Sequence, residues 1–191
     1  KIAADRLRNN KNSILRANAI DMCHASKKGL KKALIDRLDL SGSRLEAVAV
    51  GLENITELPD PVGRVIKSWR RPNGLEISQI SVPLGVIGII FESRPNVTCD
   101  AAALCFKTSN AVILRGGKEA IFSNLAIAKA LQEGGEKKGL PDHAIQLIPT
   151  VDREAVKIMC KMKDYIDLII PRGGEGLINA VAEMSLIPVI K

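Results

Sequence analysis

The sequence predicts an α/β protein: a parallel sheet with helices on both faces, preceded by an N-terminal helical segment and a β-ribbon. Three observations predict it. From Gly85 onward, short apolar runs rich in Val, Ile and Leu alternate with helical patterns at the spacing of right-handed β–α–β crossovers. Hydrophobic residues make up 46% of the 191 residues, yet aromatics (one Trp, one Tyr, three Phe) are scarce. The core must therefore be built from Leu, Ile, Val and Ala, the composition of strands buried on both faces. Finally, three of the apolar runs end in turns rich in glycine and polar residues, and a parallel sheet places such turns along one edge.

Taken in order, residues 1–61 read as the N-terminal helical segment. Leu7, Ile14 and Leu15 share a helical face that continues through Asn18, Ala19 and Met22. Lys28-Gly29 marks a turn, and a short helix then carries Ala33, Leu34 and Leu38. Ser43-Arg44-Leu45-Glu46 has capping-box spacing, and Leu45, Val48, Leu52 and Ile55 form the stripe of the helix it would open. Pro59-Asp60-Pro61 ends that helix. Residues 62–83 read as the β-ribbon. Asn73-Gly74 is a hairpin-turn dipeptide; Leu75 and Ile77 alternate with polar residues, and Ile80 and Val82 continue on a shifted phase that predicts a bulge. A half-polar ribbon of this size seldom stands alone, so it is expected to pair with another segment or another subunit, making the protein a homo-oligomer. Residues 84–191 read as a Rossmann-like core, with strands at 86–91, 111–114, 145–148, 166–170 and 188–190 and helices at about 98–108, 118–133, 152–162 and 175–185.

The formal net charge of +7 attracts anions, among them nucleotide cofactors and phosphorylated substrates. The positive residues are dispersed, apart from Lys27, Lys28, Lys31, Lys32 and the pair Arg70, Arg71, and no aromatics are interleaved with them. A nucleic-acid partner is therefore not expected, and the Lys27 to Lys32 cluster reads as a solvated helix face. No apolar stretch is long enough for a membrane span, and the amino end is charged rather than signal-like. Cys23, Cys99, Cys105 and Cys160 form no C-x-x-C, and neither His24 nor His143 lies at metal spacing from them. Free thiols in a reducing, cytoplasmic compartment, mostly acting as small buried hydrophobes, and no metal are the expectation. The chain starts within a helical pattern without an initiator Met and stops in a strand pattern, so it is expected to be part of a longer protein.

The candidate chemistry lies in the three strand-end turns: Glu92-Ser93-Arg94-Pro95-Asn96, Arg115-Gly116-Gly117-Lys118-Glu119 and Pro171-Arg172-Gly173-Gly174-Glu175-Gly176. Asn96 brings a neutral amide donor to the edge where ligands bind, suited to an oxygen that becomes negative during acyl chemistry; the same residues also suit a plain Asx-Pro turn. Gly116, Gly117, Gly173 and Gly174 allow close backbone approach. Arg115, Lys118 and Arg172 add positive charge, and the helix beginning near Glu175 offers unpaired N–H groups to a phosphate. Two familiar phosphate signatures, G-x-x-x-x-G-K-[ST] and G-x-G-x-x-G after the first strand, are absent.

Four segments carry a resemblance: Val82-Pro83-Leu84-Gly85-Val86-Ile87-Gly88, Glu92 to Thr98, Asn110 to Ala120, and Tyr165 to Gly174, with Leu58-Pro59-Asp60-Pro61-Val62-Gly63 and Pro72-Asn73-Gly74-Leu75 besides. Over essentially its whole length the chain resembles the γ-glutamyl phosphate reductases (glutamate-5-semialdehyde dehydrogenases), within the aldehyde dehydrogenase superfamily. The resemblance implies NADPH-dependent reduction of L-glutamate 5-phosphate to L-glutamate 5-semialdehyde with phosphate release, in proline biosynthesis. A cysteine thiolate would attack the acyl phosphate, and hydride transfer would follow on a thioester. Asn96 matches the superfamily's oxyanion-hole Asn. Ser93, Arg94, Pro95, Arg115, Gly116, Gly117, Lys118, Glu119, Arg172, Gly173 and Gly174 are the implied cofactor-binding residues.

In NAD-preferring members a Glu often follows the strand-end basic residue by three positions and holds the ribose 2′-hydroxyl. Here Arg115 is followed at that distance by Lys118, a cation suited to the 2′-phosphate of NADP(H), with Glu119 adjacent. The sequence departs from the family in one large respect. The nucleophilic Cys belongs to an Arg-Pro-x-x-Cys-Asn segment that this chain does not contain. The chain is therefore expected to be the cofactor-binding part, inactive alone. The alternatives are a nucleotide-binding regulatory module without catalysis, or another member of the superfamily.

Overall fold

A computed structural model describes all of residues 1–191. Four helices come first: α1 (Ile2–Asn9), α2 (Lys11–Lys27), α3 (Lys32–Leu38) and α4 (Gly42–Glu57). An antiparallel ribbon follows, β1 (Val65–Arg70) and β2 (Glu76–Ile80). The chain then alternates: β3 (Val86–Phe91), α5 (Asn96–Lys107), β4 (Ala111–Arg115), a 3₁₀ turn (Lys118–Ala120), α6 (Ile121–Glu136), β5 (Ile145–Leu147), α7 (Glu154–Lys161), β6 (Leu168–Arg172) and α8 (Glu175–Met184).

The last four strands form one parallel sheet in the order β5-β4-β3-β6. Side chains alternate across a strand, so β3 feeds two cores. Ile87, Ile89 and Phe91 pack into the larger one, with residues of α1, α4, α5 and α6. Ile90 packs into the smaller one, with Val156, Met159 and Cys160 of α7 and Val181 of α8. The expected helices on both faces are therefore present, and the N-terminal helices form an extra layer outside α5 and α6. The strand expected at 188–190 is reduced to a single parallel bridge between Val189 and Ile169. Pro188 has no N–H to extend the ladder and contributes only its carbonyl, accepting from Ile169 N at 2.9 Å.

Three local expectations need correction. The cap of α4 is Ser41, whose Oγ accepts from Arg44 N at 3.4 Å, so the Ser43/Glu46 capping box does not form. Glu46 instead accepts from Arg8 of α1 at 2.7 and 2.9 Å, a charge-assisted pairing stronger than the neutral cap contact it replaces. The bulge exists, but the extra residue is Ile66 on β1, between the pairs Val65–Ile80 and Lys67–Gln79, rather than a residue of β2. Helix α5 also begins at Asn96, two residues earlier than expected, because Pro95 is already in the helical region and starts it.

Polar side chains buried between α2 and α6 fix the outer layer. Asn18 donates to Leu38 O at 2.8 Å and to Ser123 Oγ at 3.0 Å, and accepts from Leu40 N at 2.9 Å. Asp21, only 2% exposed, accepts from Ser123 N, Ser123 Oγ and Phe122 N at 2.7, 2.6 and 3.3 Å. Its carboxylate thus caps the free amides at the start of α6 from another helix. Asp21→Ala leaves those donors buried without a partner and is expected to cost about 3 kcal/mol of unfolding free energy, measured by denaturant midpoint. Burial pushes the Asp21 carboxyl above its ordinary 3.8, more than the bonds from Ser123 and Phe122 pull it down. An acid whose folded value is raised gains stability as pH falls. The gap between the wild-type chain and Asp21→Ala should therefore widen as pH drops from neutrality through the raised value to 3.8, then stay constant.

Candidate functional site

The site follows from strand register. Ile90 of β3 pairs with Arg115 on one side and Pro171 on the other, and Phe91 pairs with Arg172. The chain runs outward from β3 through β4 to β5 and then crosses back to place β6 on the other side of β3, so the carboxyl ends of β3 and β6 flank a topological switch point. That crevice is the ligand position of open α/β sheets. A cleft of about 800 Å³ opens there.

Ser93 turns the chain out of β3 in the left-handed region, at φ 51°. Both its N–H and its Oγ donate to Glu119 Oε1, at 2.7 and 2.8 Å, which holds the strained conformation. Glu119 reaches Ser93 across Gly117. A β-carbon on Gly117 would lie 2.2 Å from that carboxylate oxygen, so a side chain there would displace it. The turns after β3 and β4 are thus bound together through one carboxylate.

Arg115 is 8% exposed. Its guanidinium donates to the carbonyls of Gly116, Val151 and Asp152 at 2.9, 3.1 and 3.1 Å, tying the end of β4 to the segment after β5. Its Nε is buried without a partner beside the cleft. Burial lowers the basicity of the group, with the nearby Arg153 charge acting in the same direction and Glu119 and Asp152 opposing. Lys118, by contrast, is exposed at the cleft, and so are Lys28 and Arg153. The chain's salt bridges use Lys1, Arg8, Arg44, Lys129 and Lys157, leaving these three cations free.

At the third turn, Gly174 N donates to Glu92 Oε2 at 3.0 Å, and a β-carbon on Gly173 would meet the same oxygen at 2.5 Å. A carboxylate of the chain itself thus sits at the α8 N-terminus, the seat expected to be open for phosphate. An incoming anion there has to displace Glu92.

A second cavity, of about 420 Å³, lies on the other side of the 92–96 turn. Asn96, Arg94 and Asp100 line it together with Asp36, Arg37, Asp39 and Arg44 of the helical segment. Asn96 Nδ2 donates to Asp100 Oδ2 at 2.9 Å, one helical turn along α5. Burial pushes the Asp100 carboxyl up, opposed by the Asn96 bond and by the charge of Arg172.

Of the residues expected to hold a cofactor, Ser93, Arg115, Gly117, Lys118 and Glu119 line the larger cleft. Arg94 does not; it lines the second cavity. Pro95 is buried as the N-cap of α5. Gly116 is buried beneath the turn, where a β-carbon would lie 2.1 Å from Asn124 Nδ2. Arg172, Gly173 and Gly174 form the neighbouring turn on the same rim without lining the cleft, which Gly176 does. Sequence reasoning missed Lys28 and His24 from α2, Arg153 before α7, and the apolar wall of Leu177, Val181 and Met184. No local motif marks them, because separate elements deliver them to the cleft.

The cysteines supply no activated thiol on α5 or α7. Cys99 is 0% exposed, and burial raises its thiol far above the usual range, with Asp100 adding to the shift. Burial also pushes Cys105 up to about 11 and Cys160 upward. Cys23 is exposed on α2 but lines neither cavity. The described residues hold no group of three or more His, Cys, Asp or Glu arranged for a metal ion, and no helix is long and apolar enough to cross a membrane.

The family model described as "Aldehyde dehydrogenase family" matches residues 4–186. Among curated relatives, a γ-glutamyl phosphate reductase of Clostridium novyi is 56% identical over 188 residues, covering 98% of this chain and 45% of the relative. One of Heliobacterium modesticaldum is 57% identical over 178 residues, covering 93% of this chain and 43% of the relative. The chain thus spans less than half the length of the curated relatives it matches. The crystal structure of γ-glutamyl phosphate reductase from Thermotoga maritima superimposes with a TM-score of 0.97 at 41% identity, covering 99% of this chain and 46% of that one. The Saccharomyces cerevisiae enzyme gives 0.90 at 35% identity, covering 99% and 48%. An acetylating aldehyde dehydrogenase from Geobacillus thermoglucosidasius, 20% identical with a TM-score of 0.69, shares the fold.

Proposed function

This chain belongs to the aldehyde dehydrogenase family, and from that premise we propose that it is the NADP(H)-binding part of an enzyme that reduces L-glutamate 5-phosphate to L-glutamate 5-semialdehyde with release of phosphate, in proline biosynthesis. The observation that carries the reading is the pair of cavities on one sheet edge, divided by the turn that ends in Asn96.

The larger cleft fits a nicotinamide dinucleotide phosphate on three counts. It lies at the switch point. Gly117 lines it without a side chain. Its mouth carries the unpaired cations Lys118 and Arg153 for a 2′-phosphate, while Glu119, the carboxylate that would repel one, is held back by Ser93. When bound, the cofactor supplies hydride. The chain's residues hold and orient: Arg115 fixes the floor between β4 and the β5 loop, and the wall of Leu177, Val181 and Met184 excludes water.

Asn96 is the oxyanion donor of this reading. Its amide, now donating to Asp100, turns toward the acyl oxygen as that oxygen gains charge. We assign no nucleophile to this chain: the Arg-Pro-x-x-Cys-Asn segment is not in it, burial makes its three buried thiols less acidic, and Cys23 lines neither cavity.

The exposed ribbon carries Val65, Ile66, Trp69 and Ile80 outward, and the reading makes it a contact between copies. Light scattering of the full-length protein is expected to give a dimer or larger, and a monomer at micromolar concentration removes that role. The free cysteines and the biosynthetic reaction accord with a cytoplasmic enzyme.

The test of the whole reading is phosphate-dependent reduction of NADP⁺ by L-glutamate 5-semialdehyde, using the full-length protein. Activity that requires phosphate supports it. Aldehyde oxidation without phosphate would make the protein an ordinary aldehyde dehydrogenase, and nucleotide binding without turnover would make it a regulatory module.

A further inference from the structure

We infer that the cavity beside Asn96 recognises the α-amino-acid end of the acyl substrate, with Asp100 receiving the ammonium and Arg94 the carboxylate; this rests on the reading above. The cavity is on the acyl side by position. The cofactor cleft takes Glu92 and Ser93 from the dividing turn, and the second cavity takes Arg94 and Asn96. A group reduced at the oxyanion donor must approach from the face that the cofactor does not fill.

The lining identifies the chemistry. Only three of its ten residues are hydrophobic, and the rest include charges of both signs. An apolar aldehyde tail gains nothing there, whereas a zwitterion can pair both its ends. The charges divide into committed and free. Arg44 binds Asp36 Oδ1 at 2.7 Å, lies 3.6 Å from Asp39 Oδ2, and donates to the backbone carbonyls of both residues. Asp100 is in no salt bridge; its only hydrogen-bond donor is Asn96, and the charge of Arg172 reaches it without a bond. Arg94 and Arg37 are both exposed and in no salt bridge, and Arg94 is the one in the dividing turn, two residues from Asn96.

Spacing supports the assignment. Asn96 and Asp100 are one turn apart, about 5–6 Å between neighbouring side-chain origins on a helix. From the C5 carbonyl of a glutamyl group to its α-nitrogen is three carbon–carbon bonds and one carbon–nitrogen bond, about 5 Å when extended. With its acyl oxygen at Asn96, the ammonium is within reach of Asp100 once the 2.9 Å bond between the two side chains opens. There it replaces the Asn96 amide as the donor to Asp100 and frees that amide for the acyl oxygen. Recognition of the amino group and readiness of the oxyanion donor become one event.

The experiment measures kcat/KM of the full-length protein in the phosphate-dependent oxidative direction with three aldehydes: L-glutamate 5-semialdehyde, 5-oxopentanoate (no ammonium) and 4-aminobutanal (no carboxylate). Wild type is expected to prefer the first over each of the others by about 10- to 100-fold. Asp100→Asn should lose that factor on the two ammonium-bearing aldehydes and change 5-oxopentanoate by less than about threefold. Arg94→Gln should lose it on the two carboxylate-bearing aldehydes and spare 4-aminobutanal.

A wild type that does not discriminate among the three, or variants that lower all three equally or not at all, overturn the inference while leaving the reaction in place. Equal loss in Asp100→Asn would mean that Asp100 only positions Asn96. A wild type inactive on the semialdehyde with phosphate overturns the reaction, and this inference with it.

Discussion

Replacing Asn96 by alanine in the full-length enzyme is expected to lower kcat by about 100- to 1000-fold with little change in NADPH affinity. A donor that reaches a developing oxyanion is worth about 3–4 kcal/mol of transition-state stabilisation. On the proposed reading this role is separate from cofactor binding. Asn96 lines the cavity opposite the cofactor cleft, and its side chain bonds only to Asp100. The fold should survive the change, since Asn96 begins α5 without capping it through its side chain. Stopped-flow turnover and fluorescence titration with NADPH are the two measurements. Unchanged turnover sinks the oxyanion assignment, and a parallel loss of NADPH affinity would place Asn96 in the cofactor site instead.

Lys118→Glu is expected to weaken NADPH binding by about 100-fold or more and NADH binding by less than about threefold. The substitution removes a charge-assisted contact worth about 1.5–3 kcal/mol and sets a carboxylate against the 2′-phosphate. NADH presents a hydroxyl at that position, which a carboxylate can accept from. The neighbouring Glu119 cannot restore the balance, because Ser93 N and Oγ both bind it across Gly117. The discrimination should shrink at high ionic strength, since Lys118 is exposed and screened. Equal loss of both cofactors in equilibrium titrations would end the 2′-phosphate role. If discrimination persists in Lys118→Glu, the other free cations flanking the cleft, Arg153 and Lys28, become its source.

Much of this was legible along the chain because the relevant forces are local or periodic. The β–α alternation after Gly85, the breaks at Gly29 and Pro59 and the hairpin at Asn73-Gly74 all register in the sequence, since steric limits and burial act on neighbouring residues. That the three polar turns share one rim followed from parallel strands alone, and the register of Arg115 and Arg172 against β3 bears it out. Ser41 in place of Ser43 as the cap of α4 shows the limit. Spacing allowed both, and Arg8 on another helix decided by taking Glu46.

By itself, then, the sequence determined the layered α/β architecture, the edge that carries the three polar turns and the presence there of an amide donor and of cations. Only the tertiary structure decided which charges remain free. It turned Glu119 onto Ser93 and Arg115 onto three carbonyls, seated Glu92 at the start of α8, and moved Arg94 from the cofactor side to a second cavity with Asp100. The reason is physical. Periodicity and turn chemistry read one segment at a time, but a polar group chooses its partner among everything the fold brings within about 3 Å, and those partners lie tens of residues away in the chain.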